Sequence, residues 1–184
     1  MEFSDIERTM MARCIELARR GAAEGEHPFG SVIANGAEVI AEASNRTVRD
    51  RDESRHAEIL AVALARKVLA DSALARCTLY SIIEPCPMCS FCIRAAGIRR
   101  VVFALHSPVL GGLSKWNILA DRSLSRRIPC LFRAPPEIAH GVLADEAMQA
   151  WSDWRPLATQ AIRLFGFFVK PKSRQDQCGR AVAC

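Results

Sequence analysis

Four side chains in this sequence have the types and spacing of a metal-assisted hydrolytic centre. His56 and Glu58 stand two residues apart, and Cys86 and Cys89 follow within Pro85-Cys86-Pro87-Met88-Cys89. Imidazole nitrogen and thiolate sulfur are preferred ligands of zinc, and three protein ligands leave a fourth tetrahedral position to a water, the arrangement of a catalytic site. Glu58, held near the ion but not on it, could take that water's proton and pass it on. Cys92 continues the cysteines at the same spacing and offers a fourth ligand that would close the site. In a helix, however, Cys86 and Cys92 lie roughly 9 Å apart along the axis, which strains coordination of one ion.

The spacing constrains the elements that carry these residues. Cys86 and Cys89, three apart, share a face in the first turn of a helix, where unpaired amides and partial positive charge favour the thiolate. Pro87 suits that turn, since a missing amide hydrogen costs nothing there. A helix is therefore expected from Pro87 to Ala96, stopped by Gly97, with strands at Thr78–Ile83 before it and Arg100–Leu105 after it. Strand, helix and strand in this order imply a parallel pair with a right-handed crossover. His56 and Glu58 would point about 200° apart in mid-helix. They converge only if His56 sits at the entry of a helix over Ala57–Ala70, with non-helical backbone.

The remaining segments read more simply. A helix starts at Ser4, with Glu7 completing an S-x-x-E capping box, and Gly21 is expected to end it. Residues 31–45 form a hairpin around Asn35-Gly36, followed by a polar loop over 46–55. A fifth strand is expected at Pro129–Arg133 and a helical region at Val142–Phe168, broken near Pro156.

About half of the 184 residues are hydrophobic, enough for one core. One domain is expected over 1–169, with a disordered basic tail over 170–184. The amino-terminal Met1-Glu2-Phe3-Ser4-Asp5 does not resemble a secretory signal, and no apolar run approaches the roughly 20 residues that span a bilayer. The expected setting is cytoplasmic, with no membrane partner and with cysteines as free thiols or ligands. Cys14, Cys77 and Cys130 are expected as small buried hydrophobes. A net charge of +5 permits a nucleic-acid partner without demanding one. Arg46, Arg49, Arg51 and Arg55 are interleaved with Asp50, Asp52 and Glu53, so they form either local pairs or a phosphate contact.

His-x-Glu followed by Pro-Cys-x-x-Cys resembles the signature of zinc deaminases acting on nucleobases. With His27-Pro28-Phe29-Gly30, Asn45, Asp52, Glu84 and Arg100-Val101-Val102-Phe103, the stretch from Pro28 to Trp154 resembles the cytidine-deaminase-like superfamily. The branch is that of guanine and cytosine deaminases and bacterial tRNA adenosine deaminases. This resemblance implies a three-layer α/β/α fold with a central five-stranded mixed sheet, a Zn2+ cofactor and a homodimer. The activity it implies is hydrolytic replacement of an exocyclic amino group by oxygen, with release of ammonia. It also implies that Asn45 hydrogen-bonds the substrate, that the Ala57 backbone amide holds the base, and that Phe29 packs against the ring. Trp154 would close over the base from the last helix. From the residues alone, Phe29 and Trp154 are equally core aromatics, and Trp116 and Trp151 are further candidates to close the pocket.

The substrate signals diverge. Pro85-Cys86-Pro87-Met88-Cys89 and His27-Pro28-Phe29-Gly30 look like guanine and cytosine deaminases, whereas Val142-Leu143-Ala144-Asp145-Glu146 resembles the tRNA enzymes. Residues 106–114 lack the Asp-x-Lys-x-Gly-Ala pattern of the tRNA enzymes, and Arg94-Ala95 replaces the Tyr-Trp pair of guanine deaminases. The expected substrate is a small-molecule nucleobase or nucleoside of guanine or cytosine type; the alternative is adenosine-to-inosine editing of tRNA.

Overall fold

A computed structural model of the chain describes residues 3–170. The expected tail lies, apart from Lys170, outside the described residues. In chain order the elements are α1 (Asp5–Ala23), β1 (Gly30–Asn35), β2 (Glu38–Ser44), α2 (Thr47–Asp50), α3 (Ala57–Val68), α4 (Asp71–Leu74) and β3 (Thr78–Ile83). They continue with α5 (Pro87–Ala96), β4 (Arg100–Leu105), α6 (Arg122–Arg127), β5 (Glu137–His140), α7 (Ala144–Trp154) and α8 (Pro156–Leu164).

The strands form one mixed sheet in the order β2-β1-β3-β4-β5. β1 is antiparallel to both β2 and β3, and β3, β4 and β5 run parallel. Because strand side chains alternate between faces, each inner strand feeds two cores. Val32, Ala34, Tyr80, Ile82, Val102 and Ala104 join the cluster that α1 and α7 cover. Ile33, Leu79, Val101 and Phe103 join the cluster under α3 and α5. This is the expected three-layer α/β/α fold with its five-stranded mixed sheet.

Local signals were obeyed where the chemistry of the chain decides. Ser4 and Glu7 make the reciprocal capping box at α1. Pro87 opens α5, and Gly97 closes it with φ +73°. Elsewhere tertiary contacts moved the boundaries. α1 runs through Gly21, which approaches β2 so closely that a Cβ there would lie 3.2 Å from that of Ser44. In the hairpin Asn35 pairs with Glu38, so the two-residue loop is Gly36-Ala37 and not Asn35-Gly36.

The fifth strand is not Pro129–Arg133 but Glu137–His140, which pairs with Arg100–Phe103. The hydrophobic residue of the expected strand is used differently: Phe132 packs edge-on against Phe91 at 4.8 Å, with the Arg94 guanidinium over its ring. Cys14 and Cys77 are buried as expected, whereas Cys130 is exposed. The last helical region ends at Leu164, not Phe168, and Gly166 with φ +67° turns the chain into an extended segment.

Arg94 is the largest of the fully buried side chains. Its guanidinium donates to the carbonyls of Ile118, Asp121 and Arg133 and to Ser125 Oγ, at 2.6 to 3.1 Å. Where β4 and β5 are joined by a long connection with little secondary structure, this one side chain supplies the partners its backbone carbonyls need. Among the described residues, no helix is long and apolar enough to cross a membrane.

Candidate active site

Two helix starts meet at the carboxyl end of β3. His56 is the N-cap of α3, with φ −66° and ψ 146°, and Cys86 is the N-cap of α5, with φ −65° and ψ 172°. Extended backbone at both caps turns the His56 and Cys86 side chains inward, while Cys89 reaches the same point from the first turn of α5. His56 Nδ1 lies 3.6 Å from Cys86 Sγ and 3.4 Å from Cys89 Sγ, and the two sulfurs are 3.6 Å apart. Tetrahedral zinc with ordinary bond lengths requires about 3.6 Å between nitrogen and sulfur and about 3.8 Å between sulfurs. The donor set therefore fits zinc with one position open. Among the described residues it is the one such cluster, and Cys92 is outside it, packed into the core beneath α5.

The electrostatics favour ligation. Hydrogen bonding from Cys89, aided by His56 and working against burial, holds the Cys86 thiol down to about 4, so this sulfur is present as the ligating thiolate. The same contact together with burial pushes Cys89 up, as expected when two sulfurs share one proton.

Glu58 occupies the first turn of α3, 5 % exposed. Its Oε2 lies 3.5 Å from Cys89 Sγ, and its Oε1 accepts a 2.8 Å hydrogen bond from Ser81 Oγ. Burial raises its affinity for a proton, and the Ser81 hydroxyl opposes this in part. Ser81 is the one residue of 79–83 in β3 that is neither aliphatic nor aromatic, a polar exception whose partner no local pattern reveals.

A cavity of about 110 Å³ lies before this cluster, lined by His56, Glu58, Cys86 and Phe29. The Phe29 ring is parallel to His56 within 7° and edge-on to Trp151, so it is both cavity wall and core. Ile83, Glu84, Ser107, Leu110, Phe167 and Phe168 also line the cavity. A larger groove of about 550 Å³, between α1, β2 and α3, contains none of the donor side chains; the reactive groups select the smaller cavity.

Glu84 shapes the loop over this cavity. Its buried carboxylate accepts from the backbone amides of Ser107, Leu113 and Ser114 and from Ser114 Oγ, at 2.6 to 2.9 Å. Burial alone would raise its pKa, but these bonds and one to His106 outweigh it and hold Glu84 at about 2. The loop passes so close that a Cβ on Gly111 would lie 2.0 Å from Glu84 Oε1.

Three further expected site residues are not among those lining this cavity. Asn45 is buried, and its Nδ2 donates to Glu26 Oε2 and Thr47 Oγ1, so both amide hydrogens are used within the protein. It is not among the residues lining the cavity, nor is Ala57, the buried first residue of α3. Trp154 packs on His27 and Trp151 with Arg155 over its ring and likewise does not line the cavity. Trp116 is 58 % exposed. The aromatics that face the cavity beside Phe29 are Phe167 and Phe168. Around the loop before His56, Arg46 pairs with Asp50 and Arg55 with Asp52, the local pairing of the two readings, whereas Arg49 reaches Glu24 at the end of α1 and Arg51 makes no ion pair among the described residues.

Residues 4–105 match the family model described as the cytidine and deoxycytidylate deaminase zinc-binding region. A Schizosaccharomyces pombe protein named a probable cytosine deaminase is 38 % identical over 132 residues, 71 % of this chain and 75 % of its own. The tRNA-specific adenosine deaminase of Haemophilus influenzae is 32 % identical over 151 residues, 81 % of this chain and 83 % of its own. Among solved structures, one from a study of tRNA:A34 deaminases superposes with a TM-score of 0.68 at 27 % identity, covering 77 % of this chain and 98 % of that one. A guanine deaminase from Nitrosomonas europaea superposes with a TM-score of 0.66 at 26 % identity, covering 80 % and 83 %.

Proposed function

We propose, from the premise that this chain belongs to the cytidine and deoxycytidylate deaminase zinc-binding family and is a hydrolytic deaminase, that its substrate is a small-molecule nucleobase or nucleoside. The observation that carries this reading is the small cavity lined by Glu58 and by His56 and Cys86 of the His56-Cys86-Cys89 donor set. Zinc on those three residues would make a water at its open position far more acidic than bulk water. Glu58 is the base within reach: buried, oriented by Ser81 and not itself a ligand. It takes a proton from the attacking water and gives it to the ring nitrogen beside the attacked carbon, then takes the remaining proton of the added hydroxyl and delivers it to the departing amine as the carbonyl forms. Water and the amino-substituted ring become the oxo-substituted ring and ammonia. Phe29, parallel to His56, offers a flat face for the heterocycle, and exclusion of water by the surrounding apolar walls strengthens each polar contact.

The locally paired arginines before His56 support a small molecule over RNA, because phosphate contacts would need those cations free. The tRNA reading is favoured by a different observation, the 81 % coverage by the Haemophilus influenzae relative. Ammonia release from free bases, nucleosides and a tRNA anticodon stem, with Glu58→Gln as control, separates the two. Release from the RNA alone, with salt-sensitive binding, would overturn the small-molecule reading. The implied homodimer belongs to the same proposal and is supported by Leu64 and Val68 on α3 and Met88 and Phe91 on α5, all left exposed.

A further inference from the structure

The chain beyond α8 does something that neither a core segment nor a tail requires. Gly166, with φ +67°, reverses the chain at the end of the helix, a conformation that side chains with a Cβ rarely adopt. Residues 167–169 then run antiparallel to the start of the loop after β4. His106 N–H donates to the Val169 carbonyl at 2.9 Å, and Val169 N–H returns a bond to the His106 carbonyl at 2.8 Å. Ser107 Oγ donates to the Phe167 carbonyl at 2.6 Å. The loop that receives this strap is itself fastened to Glu84, two residues before the ligand Cys86. Strap, loop and donor set are thus linked by consecutive hydrogen bonds.

The strap's Phe167 and Phe168 line the same cavity as Glu58. Phe168 is 6 % exposed, and its ring centroid lies 4.5 Å from that of Trp151; Phe167 lies beside it on the same cavity. What remains is about 110 Å³, well below the roughly 300 Å³ at which pockets for drug-sized ligands begin. A single heterocyclic base approaches this size. A nucleoside has about twice the heavy atoms of its pyrimidine base, and with the amino-bearing carbon held at Glu58 its sugar needs room that the lining residues, Phe167 and Phe168 among them, occupy.

We infer that the strap Phe167–Val169, docked on His106-Ser107, is the specificity element of the site and restricts the enzyme to free bases over the corresponding nucleosides. This rests on the deaminase reading above and adds to it. The closing role expected of Trp154 falls to Phe167 and Phe168, and the barrier to a nucleoside is the set of contacts that holds them down.

The test compares cytosine with cytidine, guanine with guanosine and adenine with adenosine on the zinc-loaded full chain, by ammonia release. In parallel, calorimetry measures binding of the same pairs to the Glu58→Gln protein, which retains the strap. Phe167→Ala and the volume-conserving Phe168→Leu are made in both backgrounds, with thermal melts to establish folding. The expected result is at least tenfold preference for a free base over its nucleoside, reduced at least fivefold in Phe167→Ala. Equal handling of base and nucleoside by the intact strap would overturn the inference, as would a preference unmoved in both folded variants. Absence of ammonia release from every compound would overturn the small-molecule reading instead, and the strap is then judged on binding alone. A base preference there that collapses in Phe167→Ala upholds it, and failure of any base to bind overturns it.

Discussion

Ser81 donates a 2.8 Å hydrogen bond to the oxygen of Glu58 that faces away from the sulfur donors. The side chain comes from β3 and the carboxylate from α3, so the sheet orients the proton-carrying group by a bond that crosses between layers. Glu58 is thereby left one oxygen for chemistry, Oε2, beside Cys89. Ser81→Ala is expected to reduce kcat by 10- to 100-fold, since a misoriented base loses most of its effect, while KM and zinc content change less than threefold. A parallel rise in KM, or loss of zinc, would assign Ser81 a general structural role.

Glu58→Gln keeps the size of the side chain and removes the base. Steady-state turnover should fall by at least 10³-fold with zinc still near one ion per chain by elemental analysis. Retained turnover in this variant would exclude Glu58 as the proton carrier.

His56→Ala and Cys86→Ser each remove one of three donors from a cluster already at zinc-like separations. Each should lower bound zinc below about 0.1 per chain, and chelation of the native protein should abolish turnover reversibly and lower Tm. Full zinc occupancy in both variants would mean that the ion sits elsewhere.

Arg94→Met preserves length and apolar stem but leaves the carbonyls of Ile118, Asp121 and Arg133 without their donor. Unsatisfied buried acceptors cost roughly 1–3 kcal/mol apiece, and the chain between β4 and β5 has few alternatives. A loss of about 3 kcal/mol in urea unfolding is expected; a change below about 0.5 kcal/mol would show that this segment does not depend on Arg94.

Glu84 is held at about 2, below the 4.5 of an unperturbed carboxyl. A carboxylate whose pKa is depressed on folding adds stability that is complete above the unfolded value and is lost as pH falls through the folded one. Native protein should therefore lose up to about 3 kcal/mol between roughly pH 4.5 and 2 through this group. In Glu84→Gln that contribution is absent, so the variant is less stable at neutral pH and its stability curve is flatter across the acid window. Parallel curves for the two proteins would contradict the assignment.

Each half of the donor set was legible because it is local, whereas the meeting of His56 with Cys86, 30 residues on, was legible through the signature the two halves form together. Cys86, Pro87 and Cys89 fall within one helical turn, so spacing alone puts both sulfurs on one side; His56 and Glu58, two apart, can converge only if a helix begins between them. The capping box at Ser4 and the glycine stop at Gly97 are equally short-range, and they appear where the residues demand. Strand Glu137–His140 was not legible: four residues after a Pro-Pro pair carry little apolar signal, and their pairing with β4 decides what they are.

The sequence by itself determined the chemistry of this protein, the ligands, the carboxylate and the helix starts that aim them, because those relations span a few residues and obey backbone geometry. Only the tertiary structure decided what surrounds that chemistry. Ser81 lies 23 residues from Glu58, and Ser107 lies 60 from the Phe167 carbonyl it holds. Contacts at such separations follow from how two layers pack and where a returning chain docks. It is this packing that sets Trp154 against His27 and Trp151 and brings Phe167 and Phe168 to the cavity.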